Sequence, residues 1–259
     1  MILLIRAELL KIRSTRMWIG MLALSLGFTL LGLVFYIALA GAEMNGEEGI
    51  PPVTDPDTVR GFYASASGGV LFMMILGIIG ITGEYRHQTI TQAFLTTPRR
   101  GRLLAAKLIS YFLFGAAFGV ATVAFTVAVA LPALAIKGGS TSLLDNDVPV
   151  ILGGTVLAMA LYSLVGLGLG ALIRNQIAAI IVAVGWVQLV EAIITFALPE
   201  AGQWLPAGAV RAITRTTGGF GGGGDLATLP AWGGVLLLLG YGMAFAAVAM
   251  VTTVRRDIT

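Results

Sequence analysis

Gly83-Glu84-Tyr85-Arg86-His87-Gln88-Thr89-Ile90-Thr91-Gln92-Ala93-Phe94-Leu95-Thr96-Thr97-Pro98-Arg99-Arg100-Gly101-Arg102 is a polar, basic island with a long apolar run on either side. It contains the only histidine of the chain. A helix needs roughly 20 apolar residues to cross the hydrocarbon of a bilayer. An island between two such runs is therefore a loop outside the bilayer. The run before it covers residues 62–82. The run after it, 103–136, exceeds what a bilayer needs, so its first turns, with Lys107, are expected to project into the cytosol.

Further apolar runs at 17–40, 148–173, 176–198 and 231–254 bring the spans to six. The composition agrees: 57% of the 259 residues are hydrophobic and only 11% charged, against about 25% charged in a soluble domain. Mean hydropathy is +0.92. The predicted fold is a single all-α, polytopic membrane domain over residues 1–259. It has six transmembrane helices, an N-terminal cytosolic or interfacial helix at 1–16, a short cytosolic helix within 84–102 and an outer loop at 199–230. The run behind residues 1–16 is far too long for a signal-peptide core. Pro51, Pro52 and Pro56 exclude a continuous helix through the acidic segment between Ala40 and Gly61. The glycines of the second span and the run Gly166-Leu167-Gly168-Leu169-Gly170 are read first as close helix packing.

Charge sets the orientation. Six spans put both termini on one side, together with Arg6, Lys11, Arg13, Arg16, Arg86, Arg99, Arg100, Arg102, Lys107, Arg174, Arg255 and Arg256. Only Arg60, Lys137, Arg211 and Arg215, four of the 16 basic residues, fall on the other. The positive-inside rule makes the richer side cytosolic. The protein is thus expected in the cytoplasmic membrane with both termini and the island inside. The net charge of +3 then reflects topology and not nucleic-acid binding.

Most chemistry is excluded. With no cysteine and one histidine, thiolate and multi-histidine metal sites are ruled out. The glycine tract at 218–224 lacks the Lys-Ser or Lys-Thr pair of a phosphate loop, since the lysines are Lys11, Lys107 and Lys137. It reads as a flexible connector. No catalytic or cofactor-binding residue is assigned, and the chain is not expected to be an enzyme. Within the fifth span, Gln188, Glu191 and Thr195 share a helical face by spacing. An ionisable residue inside a span is a functional candidate, so these three form a candidate translocation path; an interhelical hydrogen bond near the outer interface is the alternative. Arg211 and Arg215, one turn apart, can meet head groups, Glu191 or solvent.

In the island, Gln88 to Leu95 can form two turns with Ile90 and Phe94 stacked, and Thr97-Pro98 suits the start of the next helix. Exposed Ile90, Phe94 and Leu95 beside Arg99, Arg100 and Arg102 suit either a protein partner or anionic lipid heads.

The phrase Glu84-Tyr85-Arg86-His87-Gln88-Thr89-Ile90, followed by Pro98-Arg99-Arg100 and then Ala106-Lys107, resembles the segment after the second span in ABC type-2 transporter permeases. Ala7-Glu8-Leu9-Leu10-Lys11-Ile12-Arg13 resembles their entry helix. The resemblance implies an exporter subunit whose coupling helix docks on an ATPase, through Glu84, Tyr85, Arg86, Gln88, Ile90, Phe94, Leu95, Arg99 and Arg100. It also implies two ATPase chains that bind the ATP and magnesium, a second permease chain (homo- or heteromeric), and short helices in the last outer loop near Gln203–Thr217. The rival functions are an ion-coupled secondary transporter working through Glu191, and a non-transporting scaffold or immunity protein.

Overall fold

The computed structural model describes residues 1–44, 47–48, 50–88, 100–216 and 228–254. Ile90, Phe94, Leu95 and Arg99, the Thr97-Pro98 helix start and the glycine tract lie outside them. The described part is an all-α polytopic bundle with six helical segments long and apolar enough to cross a membrane.

Helix α1 (Ile2–Ser14) is separated from α2 (Met17–Leu39) by Arg16, which sits at φ 53°. Beyond α2 the two-residue strands Glu43–Met44 and Glu47–Glu48 pair antiparallel. Helix α3 (Pro56–Ala64) begins with proline at its first position, where the missing N–H costs nothing. Asp55 caps it, its carboxylate accepting from the Asp57 and Thr58 amides at 2.8 and 3.3 Å. A 3-10 turn (Ser65–Gly69) joins α3 to α4 (Val70–Arg86). The helical run of this span therefore starts at Pro56 and carries Glu84, Tyr85 and Arg86 as its last turn.

Helix α5 (Arg100–Lys137) has 38 residues, about 57 Å at 1.5 Å per residue. Helix α6 (Val148–Ile173) ends at Arg174 in the left-handed region, φ 59°. Asn175 then caps α7 (Gln176–Gly185) by accepting from the Ala178 amide at 3.1 Å. After α7 a π turn (Trp186–Val190) leads into α8 (Glu191–Ala197). The loop between the fifth and sixth spans holds α9 (Pro199–Gly202) and α10 (Pro206–Thr214), the latter within the stretch where the resemblance implied short helices. Helix α11 (Ala231–Val254) is the sixth span.

Helix α6 is the axis of the bundle, packed against α4, α5 and α11. Lipid is as apolar as leucine, so close van der Waals contact and interhelical hydrogen bonds hold such helices together. Glycine allows the contact. A Cβ on Gly166 would overlap the backbone of Met74, and one on Gly77 would overlap the carbonyl of Ser163. Ser163 also crosses from α6 to α5, its hydroxyl donating to the Tyr111 carbonyl at 2.9 Å. Helix α10 is nearly all buried against α6 and α11, although it belongs to a loop.

Candidate functional site

At the end of the bundle that bears the basic segment, four charged side chains from three helices meet. Lys107 of α5 is only 3% exposed. Its ammonium donates to Glu8 of α1 at 2.5 Å and to Glu84 of α4 at 2.7 Å. Lys11 donates to Glu8 at 2.8 Å and to Glu84 at 3.1 Å. Two acids and two bases cancel, which is the condition for burying charge at all. The Lys107 side chain thus lies inside the protein and not in solvent. The reason is geometric: it occurs about two turns into α5, where its stem points at α1 and α4 and finds two carboxylates.

Burial alone would raise the Glu8 pKa, but the ammonium of Lys107, with that of Lys11, outweighs it and holds the carboxyl below its ordinary value. Burial would likewise lower Lys11, and Glu8 and Glu84 together reverse this and raise it. For Glu8 the sign is that of a depressed acid. Its contribution to stability is complete above its unfolded value, near the ordinary 4.5, and is lost as pH falls through the lower folded value. Thermal stability of the purified protein should therefore decline on acidification below about pH 5, and Glu8→Gln should flatten that decline. An acid limb unchanged in Glu8→Gln would place the titrating group elsewhere.

The neighbouring island residues divide into two sets. Glu84 is buried in the cluster, and Tyr85 lies beneath the guanidinium of Arg174, 5.7 Å from its ring centre, which ties α4 to the α6–α7 turn. Arg86 and Gln88 are exposed, and Gln88 ends the helix in the left-handed region at φ 55°. Arg100 opens α5. Three of the four cluster residues escaped the sequence reading as site residues. Glu8 was nevertheless visible as the lone acid among the N-terminal bases.

At the opposite end Gln188 parts from the other two residues of the fifth span. The π turn inserts one residue into the helical repeat, so Gln188 no longer shares a face with Glu191, whereas Glu191 and Thr195, four apart within α8, still do. Gln188 is exposed, whereas Glu191 is 1% exposed. The Glu191 carboxylate accepts from the Ala207 amide at 2.7 Å. Ala207 is the second residue of α10, and Leu205 at the cap position offers no side-chain acceptor. Glu191 therefore caps a helix of the following loop from the fifth span. The indole of Trp186 faces the same carboxylate without meeting hydrogen-bond geometry. Thr195 lies against Gly202, where a Cβ would come within 2.8 Å of its hydroxyl. Glu191→Ala should loosen α10 by about 1 kcal/mol, the usual worth of a cap, and Glu191→Gln by less. Hydrogen exchange at the amides of residues 207–210 checks this; unchanged protection in Glu191→Ala would deny the capping role.

Beside α10 lies a chamber of about 680 Å³. Its walls come from α2 (Phe28, Phe35), α4 (Phe72), the π turn (Gln188) and α10 (Arg211). Arg211 donates to the Gly202 carbonyl at 3.3 Å; burial lowers its pKa, against the opposing pull of the Glu191 carboxylate. At this end of the bundle Asp147 also holds Arg60 of α3 at 3.1 Å and Arg215 at 3.7 Å.

Among the described residues no group of acidic or histidine side chains is arranged to hold a metal ion. A search of curated proteins finds no match. A family model described as "ABC-2 family transporter protein" matches residues 4–187. The match takes in α1, the ion cluster, the basic island and the spans as far as the π turn. Together with six apolar helices, it makes the chain a multi-pass permease belonging to the ABC-2 transporter family.

Proposed function

We propose that this permease is an exporter subunit that moves its substrate across the cytoplasmic membrane on the energy of ATP hydrolysed by a separate ATPase. The observation that carries the reading is the four-residue ion cluster. Its members flank the island on both sides in sequence, Glu84 before it and Lys107 after it, and α1 joins through Glu8 and Lys11. A push on residues 84–102 would thus be felt by α1, α4 and α5 together, as rigid-body coupling requires. In this reading the basic end is cytosolic, two ATPase chains dock there, and they alone bind ATP and magnesium. Arg86, Gln88, Ile90, Phe94, Leu95, Arg99 and Arg100 supply the contact, while Glu84 and Tyr85 anchor it. The lightly buried faces of α2 and of the α7–α8 span suit a second permease chain. Gln188 reaches the translocation route through the chamber, with Glu191 and Thr195 holding the outer loop in place.

Alanine at Arg86, Phe94 and Arg99 should leave membrane insertion intact and uncouple ATP hydrolysis from transport. Affinity purification from native membranes should recover an ATPase with the unaltered chain and less of it with the triple variant. An active, monodisperse transporter without an ATPase would defeat the proposal.

A further inference from the structure

Helix α1 carries an outward face that the fold does not use. Its inward side is spent: Glu8 and Ile12 are buried, and Glu8, the only acid of the helix, is bound by Lys107 and Lys11. Outward it presents Arg6 and Arg13, both exposed, with Leu3 79% and Leu10 66% exposed beside them. Leu3 and Leu10 are seven residues apart and share a line along the helix, as do Arg6 and Arg13. At about 100° per residue the two lines run about 60° apart. Arg16, also exposed, extends the basic charge past the helix end. Among the described residues none of these three arginines makes a salt bridge. An apolar line beside a cationic one is the pattern of a helix that lies in a membrane interface.

The contacts near its two ends fix where α1 lies. The Ile5 carbonyl accepts from the Ser110 hydroxyl of α5 at 3.2 Å. The Arg13 carbonyl accepts from the Trp18 indole at 3.3 Å, and that ring meets Phe114 of α5 edge-on at 6.0 Å. Eight residues along α1, about 12 Å, thus correspond to four along α5, about 6 Å, so α1 crosses α5 obliquely. Helix α1 ends three residues before the apolar span that begins at Met17, and a tryptophan at such a place suits the edge of the hydrocarbon. The island is farther out: Arg100 lies ten residues before Ser110, about 15 Å down α5. The outward face of α1 is thereby set back from the segment given to ATPase contact. We propose that α1 is a docking surface for anionic phospholipid, with Arg6 and Arg13 against the headgroup phosphates and Leu3 and Leu10 among the upper acyl carbons. Charge complementarity selects this lipid: the outward face carries bases and no acid, and each base near an anionic surface adds attraction. The inference goes beyond the exporter reading and does not depend on it.

The test uses the full chain, with any subunit that copurifies, in phosphatidylcholine nanodiscs. The sequence has no cysteine, so Leu10→Cys and Val120→Cys each give one place for a bimane label. Val120, on the outer face of α5, is 57% exposed and serves as the bulk-lipid reference. The quencher is a minor fraction of phosphatidylglycerol or of phosphatidylcholine, each with a nitroxide high on its acyl chain. Around position 10 phosphatidylglycerol should be about fivefold enriched over phosphatidylcholine, the usual worth of one arginine at an anionic surface. At position 120 the two should quench alike. Arg6→Gln with Arg13→Gln should bring the ratio at position 10 to about one. Quenching there by phosphatidylcholine should not change, which shows that the helix still lies in the interface. Arg6→Lys with Arg13→Lys should keep most of the preference, and raised salt should reduce it. Equal quenching by the two lipids at position 10, or a preference that survives the double glutamine variant, would overturn the proposal. A label reached by neither lipid would assign the face to water or to a protein partner and overturn it as well. No transport or ATP hydrolysis is measured, so the proposal can fail while the coupling proposal stands.

Discussion

Lys107→Met is expected to destabilise the fold by about 3–5 kcal/mol, the scale seen when one partner of a buried ion pair is removed. The lysine side chain is 4% exposed and answers two carboxylates that are 4% and 10% exposed. Methionine fills most of the volume but leaves Glu8 and Glu84 with only the half-exposed Lys11. Surviving folded protein should hydrolyse ATP with its partner yet fail to transport, because α1 and α4 are no longer fastened to α5. Heating the purified protein and measuring the monodisperse fraction gives the stability loss. The decisive companion is Lys107→Met with Glu8→Gln and Glu84→Gln, which removes the stranded charges and should recover most of the stability without recovering transport. If Lys107→Met melts like the parent, the cluster is not a structural fastening. If the triple variant transports normally, it is not a coupling one.

Gly166→Val is expected to be the most damaging single substitution in the spans. A Cβ at this position already overlaps the Met74 backbone, and backbone cannot swing aside as a side chain can. Overpacking usually costs about 1–3 kcal/mol and more where nothing can yield. Here α4 would have to leave α6, the contact around which the bundle is built. The variant should give little or no monodisperse protein. Gly153→Ala is the control, since it lies on the same helix with nothing within 4 Å of the added carbon. A well-behaved Gly166→Val would mean that the α4–α6 crossing is far looser than its geometry.

The spans were legible because lipid imposes one demand, length of apolar sequence, and the six runs meet it with few charges. The break before α3 was legible too, since Pro51, Pro52 and Pro56 act locally. The ion cluster was not. A lysine about two turns into a long span looks like one that reaches for the membrane surface, and its acids lie 23 and 99 residues away. Nothing local to Lys107 names them. Glu191 was conspicuous as a charge in an apolar run, but its duty was hidden, because the amide it caps belongs to a loop helix beyond two prolines. The π turn left no compositional mark at all, and it was this turn that separated Gln188 from Glu191.

That turn also fixes what kind of sequence change the segment can absorb. A π turn accommodates one residue more than an α-helix would place there. Its side chains are not buried, so exchanging one apolar residue for another between Trp186 and Val190 alters little. Losing one residue inside the turn is absorbed there: the bulge closes to regular α-helix and the segments on either side keep their faces. Adding one is different, because the turn already holds its extra residue and everything beyond would rotate by about 100°. Glu191 would then swing off the Ala207 amide, and α10 would lose the cap that its own sequence does not provide. The segment can therefore shorten by one residue but not lengthen, an asymmetry that no inventory of its side chains would disclose.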